Sequence, residues 1–234
     1  LAGAGVLFRN AWSSPSCSPT RANLITGLQG WRTGIGSVIS HANFDLELSP
    51  DETSLADAFA ANGYRTAAVG KWHLATAAGS DTLHPQLMGF EHFRGTVENL
   101  PNGDPANYFT WDKNTDGVQS VSTSYATTES VDDALALIDD FGDEPWLMYL
   151  AFHAPHTPYH APPRGLHSYA LPPQPSDDWV VHARAMAEAM DTEIGRLLES
   201  LDPLVLARTL IVFVGDNGTA PPAVVPPYDK DKAK

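Results

Sequence analysis

The sequence is short of cysteine, of positive charge and of long apolar runs. Cys17 is the single cysteine among 234 residues, which excludes a disulfide within the chain. Lys and Arg number 14 against 28 Asp and Glu, a formal net charge of −14, with a pI near 4.8. Nucleic acid and anionic membrane both demand clustered cations, so this balance argues against general binding to either. An anionic substrate would need local cations or a metal. No apolar run reaches the roughly 20 residues that span a bilayer. Leu1 to Gly5 lack the basic start and apolar core of a signal peptide, which leaves localisation unread. Internal repeats are absent, and only the proline-rich loops approach low complexity.

What is present is ordinary globular composition, 43% hydrophobic and 18% charged, enough for one large α/β core. Val6 to Trp12 reads as a short strand and Pro19 to Leu28 as a helix, with Ser18 as its cap, Arg21 on its first turn and Gly27 and Gly30 weakening its end. Residues 53 to 62 place Leu55, Ala56, Phe59 and Ala60 on one helical face, Gly63 ends that helix, and Tyr64 to Val69 runs on as a strand. From about Ala75 to Ser122 the chain is rich in Gly, Asn, Asp and Thr with little periodicity and reads as loops that shape a pocket. A helix over 127 to 141, with Val131, Ala134, Leu135 and Ile138 on one side, precedes a buried strand from Trp146 to Phe152. Seven prolines between Pro155 and Pro175 force an extended loop. Residues 179 to 201 form the clearest helix, with Ala183, Ala187, Met190, Ile194, Leu197 and Leu201 at spacings of three and four, and Thr209 to Val214 is a further strand. The repeated order of helix, strand and polar strand end predicts a sheet sandwiched between helices, with functional groups along one edge.

Four clusters carry chemistry. Cys17 stands at a helix start, beside unpaired backbone N–H groups that attract anions, and a packed cysteine is the bland alternative. Lys71 and His73, two apart at a strand end, share one face if the strand geometry persists, with Trp72 turned the other way. His153, His156 and His160 crowd a proline-stiffened loop; as a transition-metal cluster their spacing fits neither a helix nor a strand face. Asp216 and Asn217 offer hard oxygen donors suited to Ca²⁺ or Mg²⁺, although Asp-Asn-Gly is also a common turn.

The run Cys17-Ser18-Pro19-Thr20-Arg21 with Ala22 to Gly27 resembles the signature of the type I sulfatases of the alkaline phosphatase superfamily, in which the cysteine is oxidised to formylglycine. Gly70-Lys71-Trp72-His73-Leu74 resembles a second motif of that family, with Ala75 where glycine is usual, and His156-Thr157-Pro158 a third. The resemblance implies a sulfuric ester hydrolase with an alkaline-phosphatase-like α/β sandwich. Cys17 would be the precursor of the nucleophile and would also touch the metal, Arg21 would hold it, and Lys71 would bind sulfate oxygens. His73 would contact the hydrate, His156 would assist the leaving oxygen, and Asp216 and Asn217 would ligate Ca²⁺, or Mg²⁺. Lys234 is the positional match to a sulfate-binding lysine, with a solvated basic end as its alternative.

It further implies a formylglycine-generating enzyme as partner and a small-molecule or carbohydrate sulfate ester as substrate. Residence would be periplasmic, lysosomal or extracellular. Residues 1–234 would be a partial catalytic domain, incomplete at both ends, without the first strand that carries the family's aspartate pair and without the C-terminal subdomain. Rival readings are a formylglycine-dependent phosphonate or phosphate ester hydrolase, a non-catalytic binding protein or inactive fragment, and a thiolate hydrolase, which leaves the Pro19 and Arg21 spacing unexplained.

Overall fold

The computed structural model describes residues 2–40, 46–76, 81–101, 103–173, 178–220 and 223–226. Its centre is a five-stranded sheet of β1 (Arg65–Lys71), β2 (His92–Thr96), β3 (Trp111–Thr115), β4 (Val118–Ser122) and β5 (Trp146–Ala151) in the order β4-β3-β2-β1-β5. β1 runs parallel to both neighbours, with Lys71 opposite Thr96 on β2 and Gly70 opposite Ala151 on β5. β3 and β4 add an antiparallel hairpin. Parallel central strands place their C-terminal ends along one edge, where ligands of open sheets bind.

The layers follow from alternation along the strands. Ala67 and Val69 of β1, with Trp146, Met148 and Leu150 of β5, pack against Leu137 and Phe141 of α5 (Ala126–Phe141). Ala68 of β1 and Leu147 and Tyr149 of β5 turn to the other face, against Ala22 and Ile25 of α1 (Cys17–Thr26), which the short α2 (Gly30–Thr33) follows, and Ala56 of α3 (Leu55–Ala60). A period of two thus feeds two helical layers from one sheet. Trp72 fills the second core, fully buried, its indole N–H donating to His84 Nδ1. A third cluster around Tyr108, Tyr125 and Met186 seats α6 (Trp179–Ser200). Among the described residues, no helix is long and apolar enough to cross a membrane.

Several expected elements differ. α1 begins at Cys17, not Pro19, and its cap is Ser16, which makes no side-chain capping bond. α3 is six residues long and buries only Ala56; Leu55 and Phe59 instead border an open cleft. Ser54 and Asp57 close a capping box that holds it. The buried stripe of α6 falls on His182, Ala185, Met186, Ala189 and Glu193, beside the positions expected.

The segment read as loops contains β2, β3, β4 and the short helix α4 (His84–Leu87). Its strands are brief and polar, and the hairpin turns at Asp116-Gly117, both with positive φ. The apolar stretches 6–12 and 209–214 join no strand among the described residues. Phe8 and Trp12 are 78% and 94% exposed, and Leu210 is 88% exposed. Neither pairs with a strand among the described residues, and the first turns at Arg9 and Asn10, so β propensity without a partner forms no ladder here.

Candidate active site

The C-terminal ends of β1, β2 and β5 meet the N-terminal end of α1, and there the predicted residues converge. Cys17, the first residue of α1, is buried at 6% exposure, with its Sγ 3.3 Å from His73 Nδ1. The strand geometry does not persist to His73 as expected: β1 ends at Lys71, and His73 has a φ of 59°, in the left-handed region. Lys71 and His73 nevertheless reach one site, because Trp72 is anchored in the core between them.

The tautomer of His73 follows from its partners. Nε2 lies 2.9 Å from the Ile39 carbonyl, which only accepts, so Nε2 carries the proton and Nδ1 presents a lone pair to Cys17. Burial first, then the charges of Lys71 and Arg21, push the imidazole down to about 3, so it is neutral over the physiological range. Ile39 N–H in turn donates to Ser18 Oγ, so one backbone residue ties the helix start to the histidine. Nothing in the local sequence marks Ile39 for this task. A hydrogen bond across 34 positions has no periodic signature.

Lys71 is 2% exposed. Burial and the Arg21 charge lower it to about 8, against the raising influence of Cys17 and Asp216 and a side-chain hydrogen bond with Cys17. Arg21 is not bonded to the sulfur position. Its Nε and Nη2 grip Asp216 Oδ2 at 2.9 and 2.7 Å, and Nη1 donates to the Lys71 carbonyl. The guanidinium thereby joins α1, β1 and the Asp216 loop through charge-assisted bonds.

His156 is half-buried, and its Nδ1 is 2.8 Å from the Thr157 carbonyl, which fixes a proton on Nδ1 and turns Nε2 to function. The Asn99 amide nitrogen approaches both ring nitrogens at 3.3 Å. Asn99, which follows β2 in the segment read as loops, was not among the expected site residues. A cavity of about 310 Å³ gathers Cys17, His73, Asn99, His156 and Asn217, and a cleft of about 1500 Å³ that shares His156 and Asn217 with it brings in Arg21, Lys71, His153 and Asp216. His160 lies apart, stacked with Tyr108 and bonded to the Tyr125 hydroxyl. Lys234 falls outside the described residues.

A family metal finds only part of a site here. Asp216 and Asn217 contribute a carboxylate and one amide oxygen, and Asp216 Oδ2 is already clamped by Arg21. Among the described residues, no group of three or more His, Cys, Asp or Glu side chains could hold a metal. Two donor side chains do not make the roughly six to eight oxygens of a calcium site.

With this geometry in hand, comparison with known proteins decides the family. The sulfatase family model matches residues 1–232. The chain belongs to the sulfatase family. It is 31% identical over 236 residues to the ulvan-active sulfatase of Formosa agariphila, covering 93% of this chain and 44% of that protein. It superposes on the crystal structure of Ps i-CgsB with a TM-score of 0.67 at 24% identity, over 79% of this chain and 44% of that one. It also superposes on BT4656, solved in complex with its substrate D-glucosamine-2-N,6-O-disulfate, with a TM-score of 0.54 at 26% identity, over 68% of this chain and 29% of that one. These likenesses establish the alkaline-phosphatase-like α/β fold of the sulfatases. The chain spans less than half the length of the first curated relatives it matches.

Proposed function

We propose that this site hydrolyses sulfate monoesters through a formylglycine made from Cys17. One observation carries the reading: the side chain of Cys17 faces the bare Nδ1 of a neutral His73 on one side and the Lys71 ammonium on another. A thiol meets both partners with one sulfur, whereas an aldehyde hydrate has an O–H for His73 and a second oxygen for Lys71. When formed, the hydrate supplies a nucleophilic oxygen and a second hydroxyl whose deprotonation releases sulfate.

The chain's own residues then have defined tasks. Lys71, cationic below about pH 8, holds sulfate oxygens near the end of α1, whose first N–H groups add positive potential. His73 Nδ1 takes the proton of the second hydroxyl, because its other nitrogen is committed to Ile39. His156, its Nδ1–H held by the Thr157 carbonyl, acts in its doubly protonated form: Nε2–H passes its proton to the departing alcohol oxygen, which as an alkoxide leaves poorly, and the ring is left neutral with its proton on Nδ1. Arg21 acts by holding the Asp216 loop and the end of β1 together. Lys234 is proposed as a further sulfate-binding cation on the motif match alone.

The partner implied is a formylglycine-generating enzyme, and the substrate class proposed is a sulfated carbohydrate or small ester. BT4656, at 26% identity, has a disulfated glucosamine as its substrate. The test is a parallel assay of the whole protein on aryl sulfate, phosphate and phosphonate esters. Faster turnover of sulfate supports the reading; faster turnover of phosphate or phosphonate overturns it.

A further inference from the structure

His153 is 3% exposed and has no role in the chemistry above, yet one of its nitrogens is committed and the other is not. Nε2 lies 2.7 Å from Thr96 Oγ1. That hydroxyl has one proton, and donates it to the Glu98 carbonyl at 2.6 Å. It has none left for the imidazole, so Nε2–H donates to Thr96 Oγ1 and the proton resides on Nε2. Burial first, then the charges of Lys71 and Arg21, hold the ring well below its ordinary pKa of 6.5 and therefore neutral. Nδ1 is left as a lone-pair acceptor. It is buried and unpartnered, an unfavourable condition unless a donor arrives.

The sheet shows which donor is at hand. His153 lies two residues beyond the end of β5, Thr96 ends β2, and β1 runs between those strands. An imidazole that starts beyond β5 and grips Thr96 must cross the end of β1, which is Lys71. Lys71 and Thr96 are register partners, so their side chains leave the sheet on the same face. Lys71 is also the leading charge acting on the ring, and both side chains border the same cleft.

We propose that His153 is a positioning residue for Lys71: its Nδ1 accepts one N–H of the ammonium in the anion-bound state, steering the other two toward the Cys17 position and a bound oxyanion. Thr96 sets the tautomer that makes this possible. The identity of the oxyanion as sulfate rests on the sulfatase reading; the fixed acceptor does not.

Inorganic sulfate binding to the full-length protein, measured by calorimetry, tests this beside kcat/KM on an aryl sulfate. His153→Asn places its carbonyl oxygen where Nδ1 stands. His153→Gln carries its amide to Thr96 and leaves the Nδ1 position empty. The expected result is a loss of about tenfold or more in sulfate affinity and in kcat/KM for His153→Gln, the size of one hydrogen bond to a charged group. His153→Asn recovers most of it, and in a Lys71→Met background His153→Gln costs nothing further.

Equal losses in the two variants, or a full additional loss in the Lys71→Met background, overturn the proposal. Nitrogen-15 spectra of the unsubstituted protein with sulfate supply a readout independent of how the variants fold. Unprotonated Nδ1 and protonated Nε2 on His153 support it, and protonated Nδ1 refutes it. Should the protein bind sulfate with this pattern yet prefer phosphate esters in turnover, the sulfatase reading falls and the positioning role of His153 stands.

Discussion

Replacing Arg21 by Met probes the link between fold and site most sharply, because one side chain there joins three elements. The guanidinium is 4% exposed and makes two bonds to Asp216 Oδ2 and one to the Lys71 carbonyl. Hydrogen bonds to charged groups contribute about 1.5–3 kcal/mol each. The Asp216 side chain is 29% exposed, so water restores part of what its carboxylate loses, whereas the buried Lys71 carbonyl has no such recourse. A second effect runs the other way. Arg21 is the strongest charge lowering the pKa of Lys71, so its removal lets Lys71 titrate above about 8 and relieves a like-charge contact.

Weighing these, Arg21→Met should destabilise the protein by about 2–4 kcal/mol. Arg21→Lys, which keeps the charge without the planar fork, should lose somewhat less. Urea unfolding followed by circular dichroism reads the change as a shift in midpoint at constant slope. An Arg21→Met protein as stable as the parent would refute the claim that this residue couples α1 to the Asp216 loop.

Sulfate affinity should fall as pH rises through about 8, since Lys71 is cationic below that value and neutral above it; a calorimetric series that stays flat from about one unit below to about one unit above that pKa would exclude Lys71 as the anion's main partner. His160, pushed down to about 4 by burial, is neutral when folded but charges when unfolded below 6.5, so its contribution to stability declines as pH falls from about 6.5 toward 4. At a pH of roughly 4.5 this amounts to about 2.5 kcal/mol, and His160→Gln should flatten that part of the pH–stability curve without altering sulfate binding. Cys17→Ala should abolish turnover while its unfolding midpoint stays close to the parent's, and retained turnover would place the nucleophile elsewhere.

The legible parts of the fold were those with local periodicity. β1 and β5 alternate cleanly between two cores, and the expected α5 face holds at Val131 and Ala134, while Leu137 and Phe141 are buried in place of the half-buried Leu135 and Ile138. The hairpin of β3 and β4 escaped because Asp112 to Thr115 and Val118 to Ser122 are polar and half-exposed; the Asp116-Gly117 turn was its one visible signal. Stretches 6–12 and 209–214 show the converse error, where apolar, β-prone residues join no strand among the described residues.

In the site, the residue types were legible through the motifs that resemble the family, but their bonds were not. Arg21 meets Asp216 across 195 positions and His153 meets Thr96 across 57, and only the assembled sheet brings such partners together. Likewise, the sharing of Lys71 and His73 in one site comes from a left-handed residue after the strand and a buried Trp72, not from strand alternation.

The central claim is that Cys17 acts as something other than a thiol. Peptide mass spectrometry across residue 17, on active full-length protein made in a host with the modifying enzyme, measures this directly. The account predicts the aldehyde or its hydrate at that position, in a fraction that tracks specific activity. An unmodified thiol in fully active protein would contradict it.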